Sequence, residues 1–251
     1  IDGAKNSLSK FIIIYMKLIV LTTDTTHHLY FIKSISKHYN IEAVLLEKKS
    51  NIPKFDTYHP FEGSRDIYEK TELLNGKDIK FKYFCKTLEF DNINDEGCLN
   101  FIVKTKPDVI VTFGTGLIKK PIIDKCKEGI INLHGGDPQY YRGLDSHLWA
   151  IYHKDFYQLK VSLHKLNRFL DDGEIIQQKS IKITKDLELY MLRSINTKIC
   201  VELTLSALEK FSKIGYFKKT PQKSTGRYYS FMPSVLKEIC LSNFNQYLKK
   251  I

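Results

Sequence analysis

Residues 16–23 read MKLIVLTT, an apolar run that closes on two threonines. Helical spacing follows over His27–Tyr39, and a second apolar run occupies Ile41–Glu47. A strand, a crossover helix and another strand in that order make a β-α-β unit, whose two strands pair in parallel. The same rhythm returns further on. Asp95 stands where it can cap a helix running to Lys104, PDVIVTF at 107–113 reads as a buried strand, and a helix over 121–127 leads into GIINLH at 129–134. These repeats predict an α/β fold, Rossmann-like, with a mostly parallel central sheet flanked by helices. The turn TTDTT at 22–26 contains no glycine to let a pyrophosphate approach the backbone, which argues against a dinucleotide site.

Outside this core the pattern is less regular. Residues 48–63 carry Pro53, Pro60 and Gly63 without a clear period and read as a long loop, either a cover for a binding site or a plain connector. A helix is expected over 64–74, and Asp145 can cap another over 146–153. Residues 159–166 and 174–183 alternate like strands, and a long amphipathic helix is expected over 186–213. Residues 214–251 change character, with Lys218, Lys219, Lys223 and Arg227 around Pro221 and Gly226, then RYYSFM at 227–232 and a further helical pattern. They read as a small C-terminal appendage to a domain spanning 16–213. Residues 1–15 read as an extension or an expression remnant ahead of that domain.

The five cysteines, at 85, 98, 126, 200 and 240, have no paired C-x-x-C spacing, which points to a reducing, cytoplasmic setting. The apolar stretch at 11–21 is too short to span a bilayer and is interrupted by Lys17, so no membrane segment is expected. A formal charge of +11 fits a partner rich in phosphate or carboxylate. It equally fits a lysine-rich genome, because most of the excess is lysine spread along the chain.

Chemistry concentrates after residue 129. Period-two alternation in GIINLH puts Ile131 and Leu133 on one face and Asn132 and His134 on the other, so two polar side chains leave one strand end together. Strand ends of open α/β sheets are where ligands bind. Small residues follow in Gly135-Gly136-Asp137-Pro138, then Tyr140-Tyr141-Arg142-Gly143, and seven residues beyond His164 comes Asp171-Asp172-Gly173, where the glycine permits a bend that turns a carboxylate inward. An amide, an imidazole and a carboxylate without a second nucleophile suit attack of a neutral amine on an activated acyl carbon. The amide and a protonated imidazole stabilise the oxyanion, and the carboxylate orients the imidazole and takes a proton from the amine. No zinc-ligand spacing such as H-E-x-x-H occurs, and no metal is expected.

NLHGGDPQYYRG at 132–143 with HKLNRFLDDG at 164–173 resembles the folate-dependent formyltransferase family. The resemblance implies catalysis by Asn132, His134 and Asp171. It implies a 10-formyltetrahydrofolate site lined by Thr115, Gly116, Leu117 and Ile118 and faced by Arg168, Phe169 and Leu170. LDSHLWAIYH at 144–153 and RYYSFMP at 227–233 are similar to the branch that formylates nucleotide-linked amino sugars for surface polysaccharide, such as dTDP-4-amino-4,6-dideoxyglucose. Arg142, Tyr141 and Tyr228 are then candidate substrate contacts, Arg142 with loop ordering or a structural salt bridge as its other reading, and a homodimer is expected from the C-terminal part. Members acting on initiator tRNA carry a C-terminal β-barrel, for which 214–251 is too short, so tRNA ranks second. A catalytically silent basic binding module is the remaining reading. One departure from the family pattern is Pro138, which stands three residues before Tyr141 rather than two and bears on the shape of the amine-side loop.

Overall fold

A computed structural model of the chain describes residues 16–49, 52–126 and 129–251. The extension assigned to 1–15, the start of the 11–21 stretch, the tip of the 48–63 loop and the end of the 121–127 helix lie outside the described residues. Seven strands form the main sheet: β1 (Leu18–Thr23), β2 (Ile41–Glu47), β3 (Thr87–Phe90), β4 (Val109–Phe113), β5 (Ile130–His134), β7 (Lys160–Lys165) and β8 (Ile175–Ser180), in spatial order β3-β2-β1-β4-β5-β7-β8. The first five pair in parallel, whereas β7 and β8 add antiparallel. The expected mostly parallel sheet is present.

Alternation along β1 explains the layers. Leu18 and Val20 face a core shared with α1 (Thr26–Ile35) and α6 (Leu192–Ile214), while Ile19 and Leu21 face the core under α3 (Glu96–Thr105) and α4 (Lys120–Ile123). All four are fully buried, each contributing about 1.5–3 kcal/mol relative to exposure. Strand order reverses between β1 and β4, so their carboxyl ends open a crevice between them.

Several helix termini and caps differ from the sequence expectation, with α1 and α4 ending early at Ile35 and Ile123. α2 (Pro60–Leu74) begins before residue 64, because the His59 N–H donates to Glu62 and the Phe61 N–H donates to His59 Nδ1, a cap that histidine seldom provides. α6 starts at Leu192 rather than 186, since backbone at Glu188 is extended and buries Leu187 and Leu189. α5 (Ser146–Tyr152) does follow Asp145, but that carboxylate accepts from the Met232 N–H instead of capping the helix.

The last segment is laid against the domain. α7 (Ser234–Leu248) packs on α5, where Asn243 donates to the carbonyls of Ile151 and Tyr152, and Phe156 stacks on Tyr247 at 3.9 Å. It also grips the loop before α2 through Ser234 with Asp56, Lys237 with the Thr57 carbonyl, and Glu238 with His59. A two-stranded parallel sheet joins β6 (Tyr141–Gly143) to β9 (Arg227–Tyr229). The cysteines are free, and burial pushes their thiols up, Cys98 and Cys240 to about 12. No helix among the described residues is long and apolar enough to cross a membrane.

Glu47, at the end of β2 and 5% exposed, fixes the loop after β4. Its carboxylate accepts from the Gly116 N–H at 2.8 Å and the Ile93 N–H at 3.1 Å. Glu47→Ala leaves both donors unpaired and is expected to cost about 2–3 kcal/mol. Urea unfolding checks this.

Candidate functional site

Asn132 is the middle residue of β5, and antiparallel pairing sets His164 of β7 directly opposite it. Cross-strand partners lie close enough for side chains to touch, and the Asn132 Nδ2 stands 3.1 Å from His164 Nε2. Thr112, on the neighbouring β4, donates its hydroxyl to Asn132 Oδ1 at 2.6 Å. The Asp171 carboxylate, which can only accept and whose Oδ1 is 3.3 Å away, decides which end of the amide is which and puts the NH2 group toward His164 and Asp171.

Asp171 is the hub. Its Oδ2 accepts from the Gly143 N–H at 2.8 Å and lies 3.4 Å from His134 Nδ1, while its Oδ1 lies 3.5 Å from His164 Nε2. Each histidine spends its other nitrogen on a carbonyl, which can only accept. His134 Nε2–H therefore donates to Tyr141 O at 2.8 Å, and His164 Nδ1–H donates to Lys165 O at 2.9 Å. A second proton on either ring can sit only on the nitrogen that faces Asp171. Burial pushes the Asp171 carboxyl up, but the charges of His134 and His164 and the Gly143 N–H outweigh it and hold the group well below the ordinary carboxylate range.

The turn that delivers this carboxylate works differently from the sequence expectation. The left-handed residue is Asp171 itself, at φ 48°, a region that aspartate tolerates better than most side chains. Gly173 is needed for space, since a Cβ there would meet the Lys165 carbonyl oxygen at 1.6 Å. Gly143 has both constraints, with φ 92° and the Tyr229 carbonyl 2.1 Å from where its Cβ would lie.

These groups border a cavity of about 700 Å³, a size typical of small-molecule sites. Of the residues expected around a cofactor, Thr115, Gly116, Leu117, Ile118, Phe169 and Leu170 line it, with Leu117 and Phe169 about half exposed. Arg168 is not among the lining residues and lies over the Phe169 ring at 4.7 Å. Tyr228 lines the cavity and is 55% exposed. The other two candidate substrate contacts are engaged elsewhere. Tyr141 is buried, stacked on Tyr229 with its hydroxyl on Asp155, and it serves the site through its backbone carbonyl. Arg142 donates to the carbonyls of Gly226 and Leu170, tying β6 to the C-terminal segment and to the loop that ends at Asp171.

Sequence reasoning used His164 only as a spacing mark, although its place on the adjacent strand makes it a direct neighbour of Asn132. It also missed His27, His28, Arg65, His147, Arg193 and Asn196, all of which line the cavity. These come from four helices, α1, α2, α5 and α6, far apart in the chain, and no local pattern connects them. Among the described residues, no group of three or more His, Cys, Asp or Glu side chains could hold a metal ion.

Comparison with known proteins bears on this arrangement. Residues 16–198 match the family described as formyl transferase. The chain is 30% identical over 215 residues to the methionyl-tRNA formyltransferase of Borrelia garinii subsp. bavariensis, covering 85% of this chain but 62% of that protein. It thus spans less than two thirds of the length of that relative. Among solved structures, a 4-N formyltransferase from Francisella tularensis aligns with a TM-score of 0.57 at 15% identity, covering 92% of this chain and 88% of that one. The formyltransferase PseJ from Anoxybacillus kamchatkensis, in complex with UDP-4,6-dideoxy-4-formamido-L-AltNAc and tetrahydrofolate, aligns with a TM-score of 0.51 at 17% identity, covering 85% of each chain. At such identities the structures speak for the fold, whereas the family match covers the strands, the loops and the hub just described, and on it the chain belongs to the formyl transferase family.

Proposed function

We propose that the protein transfers a formyl group from 10-formyltetrahydrofolate to the primary amine of a nucleotide-linked amino sugar. The observation that carries this reading is the convergence of Asn132, His134, His164 and Asp171 beside one cavity of about 700 Å³. The folate ring system fits between the loop over 114–118 and the loop over 166–171, where Leu117 and Phe169 offer exposed apolar surface that a flat heterocycle would cover. Tyr228, exposed beside the same cavity, suits stacking on a nucleotide base. The sugar substrate finds support in PseJ, a relative in fold whose structure holds a nucleotide-linked formamido sugar and tetrahydrofolate.

In this reading the amine nitrogen attacks the formyl carbon, and the carbonyl oxygen takes the negative charge. The Asn132 NH2 is the donor to that oxygen, exchanging its contact with His164 or Asp171 for the substrate when it binds. His134 has its Nε2–H on the Tyr141 carbonyl, so its part is proton handling on the Nδ1 side with Asp171. One proton leaves the attacking amine, the bond from the formyl carbon to the folate nitrogen breaks, and that nitrogen receives a proton. Asp171 and the ring nitrogens facing it are the relay. No metal has a part in this scheme.

Formylation of methionyl-tRNA is the second reading, favoured by the 30% identity to a methionyl-tRNA formyltransferase and by the +11 charge. The two separate cleanly. Purified protein with 10-formyltetrahydrofolate is expected to release tetrahydrofolate with a nucleotide-linked 4-amino sugar and not with methionyl-tRNA. Release with tRNA alone, through salt-sensitive binding, would reverse the order.

Asn132→Ala is expected to lower turnover by about two orders of magnitude or more with the fold intact, as loss of an oxyanion donor does. Single-turnover kinetics and a melting curve check both halves. Asp171→Asn is expected to do the same to turnover, and it carries a pH signature. A carboxyl depressed by folding stabilises the native state above its unfolded pKa of about 3.9, and that contribution fades as acid carries it down through the depressed value. The stability gap between wild type and Asp171→Asn is therefore expected to be full above about pH 5 and to narrow below it. Denaturant unfolding across pH reads it directly.

A further inference from the structure

A strap of the C-terminal segment, residues 220–229, crosses both loops that build the reacting centre. Its start is fixed by a two-way bridge, in which the Thr220 N–H donates to the Ile175 carbonyl and the Ile175 N–H to the Thr220 carbonyl, each at 2.8 Å. Its far end is fixed on the loop before β6 and on β6 itself. There the Gly226 N–H donates to the Pro138 carbonyl and the Arg227 N–H to the Tyr140 carbonyl. Between these anchors the Ser224 hydroxyl donates to the Gln139 carbonyl, and the Lys223 N–H donates to the Gln139 side chain.

Gln222 is the residue of this strap that reaches the Asp171 turn. Its Nε2 lies 3.0 Å from the Asp171 carbonyl oxygen and 2.8 Å from that of Gly173. Both partners can only accept, so the NH2 end of the amide must face them, one N–H to each. The Oε1 at the other end is buried and has no partner among the described residues, which is unfavourable. An apolar side chain of the same length would avoid that cost, and it would lose the grip on two backbone carbonyls.

That grip matters for the carboxylate. Asp171, at φ 48°, holds a conformation that persists in a non-glycine residue only where the surroundings over-determine it. They do so from both sides. Arg142 Nη1 donates to the Leu170 carbonyl at 3.2 Å and pins the peptide before Asp171, while Gln222 pins the peptide after it. Peptide units are planar, so holding both flanking planes fixes φ and ψ of residue 171, and with them the Cα–Cβ bond that aims the carboxylate.

We propose that Gln222 is a positioning residue. By holding the peptide after Asp171, it keeps that carboxylate on the Gly143 N–H and beside the rings of His134 and His164. This rests on the part given to Asp171 under the proposed function and is independent of which amine accepts the formyl group.

The test uses the 251-residue chain and Gln222→Met, unbranched and close to glutamine in length. Its Tm is expected to fall by no more than about 4 °C, since two hydrogen bonds are lost and one unpaired oxygen is removed. With 10-formyltetrahydrofolate and a nucleotide-linked 4-amino sugar, kcat is expected to fall about tenfold or more, with KM for both substrates within about twofold. In an Asp171→Asn background the same change is expected to cost less than about twofold, because a carboxylate that is absent cannot be misplaced. A purely structural role would cost the same in both backgrounds. Hydrogen exchange reads the geometry without substrate. The Gly143 N–H, whose acceptor is Asp171 Oδ2, is expected to exchange about tenfold faster in Gln222→Met, with the Leu144 N–H on the Tyr229 carbonyl unchanged. Gln222→Glu, equal in shape but with an oxygen in place of the NH2, is expected to lose at least as much kcat at about pH 8, since its carboxylate repels both carbonyls. Unchanged kcat with unchanged Gly143 exchange, equal losses in both backgrounds, or faster exchange at Leu144 as well as Gly143 would overturn the proposal. Asp171→Asn without effect on kcat would instead remove the reaction scheme, and the exchange of Gly143 would still decide whether Gln222 holds the carboxylate. Turnover with methionyl-tRNA in place of the sugar would change the acceptor and leave the comparison of variants as it stands.

Discussion

One buried carboxylate organises this molecule's chemistry. Asp171 can remain ionised at 7% exposure only because an amide NH2, a backbone N–H and two imidazoles converge on it. Those partners come from three separate strands, β5, β6 and β7, so the carboxylate acts as the point at which the sheet, the β6 ribbon and the loop after β7 are brought into register. The histidines are oriented from behind by carbonyls, and Asn132 by a threonine hydroxyl. Little of the reacting geometry is left to side-chain freedom, which is what catalysis by positioning requires.

The sheet explains why these groups can meet. Parallel strands β1, β4 and β5 bring their carboxyl ends to one edge, and β7 then returns antiparallel beside β5. The reversal faces a histidine on β7 with the asparagine on β5, and it carries the chain toward the turn that presents Asp171. An all-parallel continuation would have sent that turn to a crossover helix instead.

Much of this was legible in the chain. Fully buried runs such as LIVLTT and VIVTF have no polar alternation to disguise them, and period two in GIINLH put Asn132 and His134 on one side before any coordinates. The illegible parts share a physical cause, which is that their meaning is set by a distant partner. β3 is partly exposed and takes its strand form from β2. β6 is three residues long and exists because β9 pairs with it, Tyr141 with Arg227, while the Arg142 side chain reaches the Gly226 carbonyl 84 residues away. Tyr141 and Arg142 stand in a stretch whose resemblance implied substrate contacts, with loop ordering or a structural salt bridge as the other reading of Arg142; tertiary structure buries the tyrosine and uses the arginine as a tie. Asn196 is one polar residue among several on a long helix, and only the missing partner of its carbonyl sets it apart.

The pairing of β6 with β9 has a consequence for how the protein comes to life on the ribosome. The N–H that anchors Asp171 belongs to Gly143, whose strand is completed by residues 227–229. A nascent chain can therefore assemble the whole parallel half of the sheet early and still lack a working centre. The donor to Asp171 is held in place only once residues 227–229 have been made and have folded back beside β6.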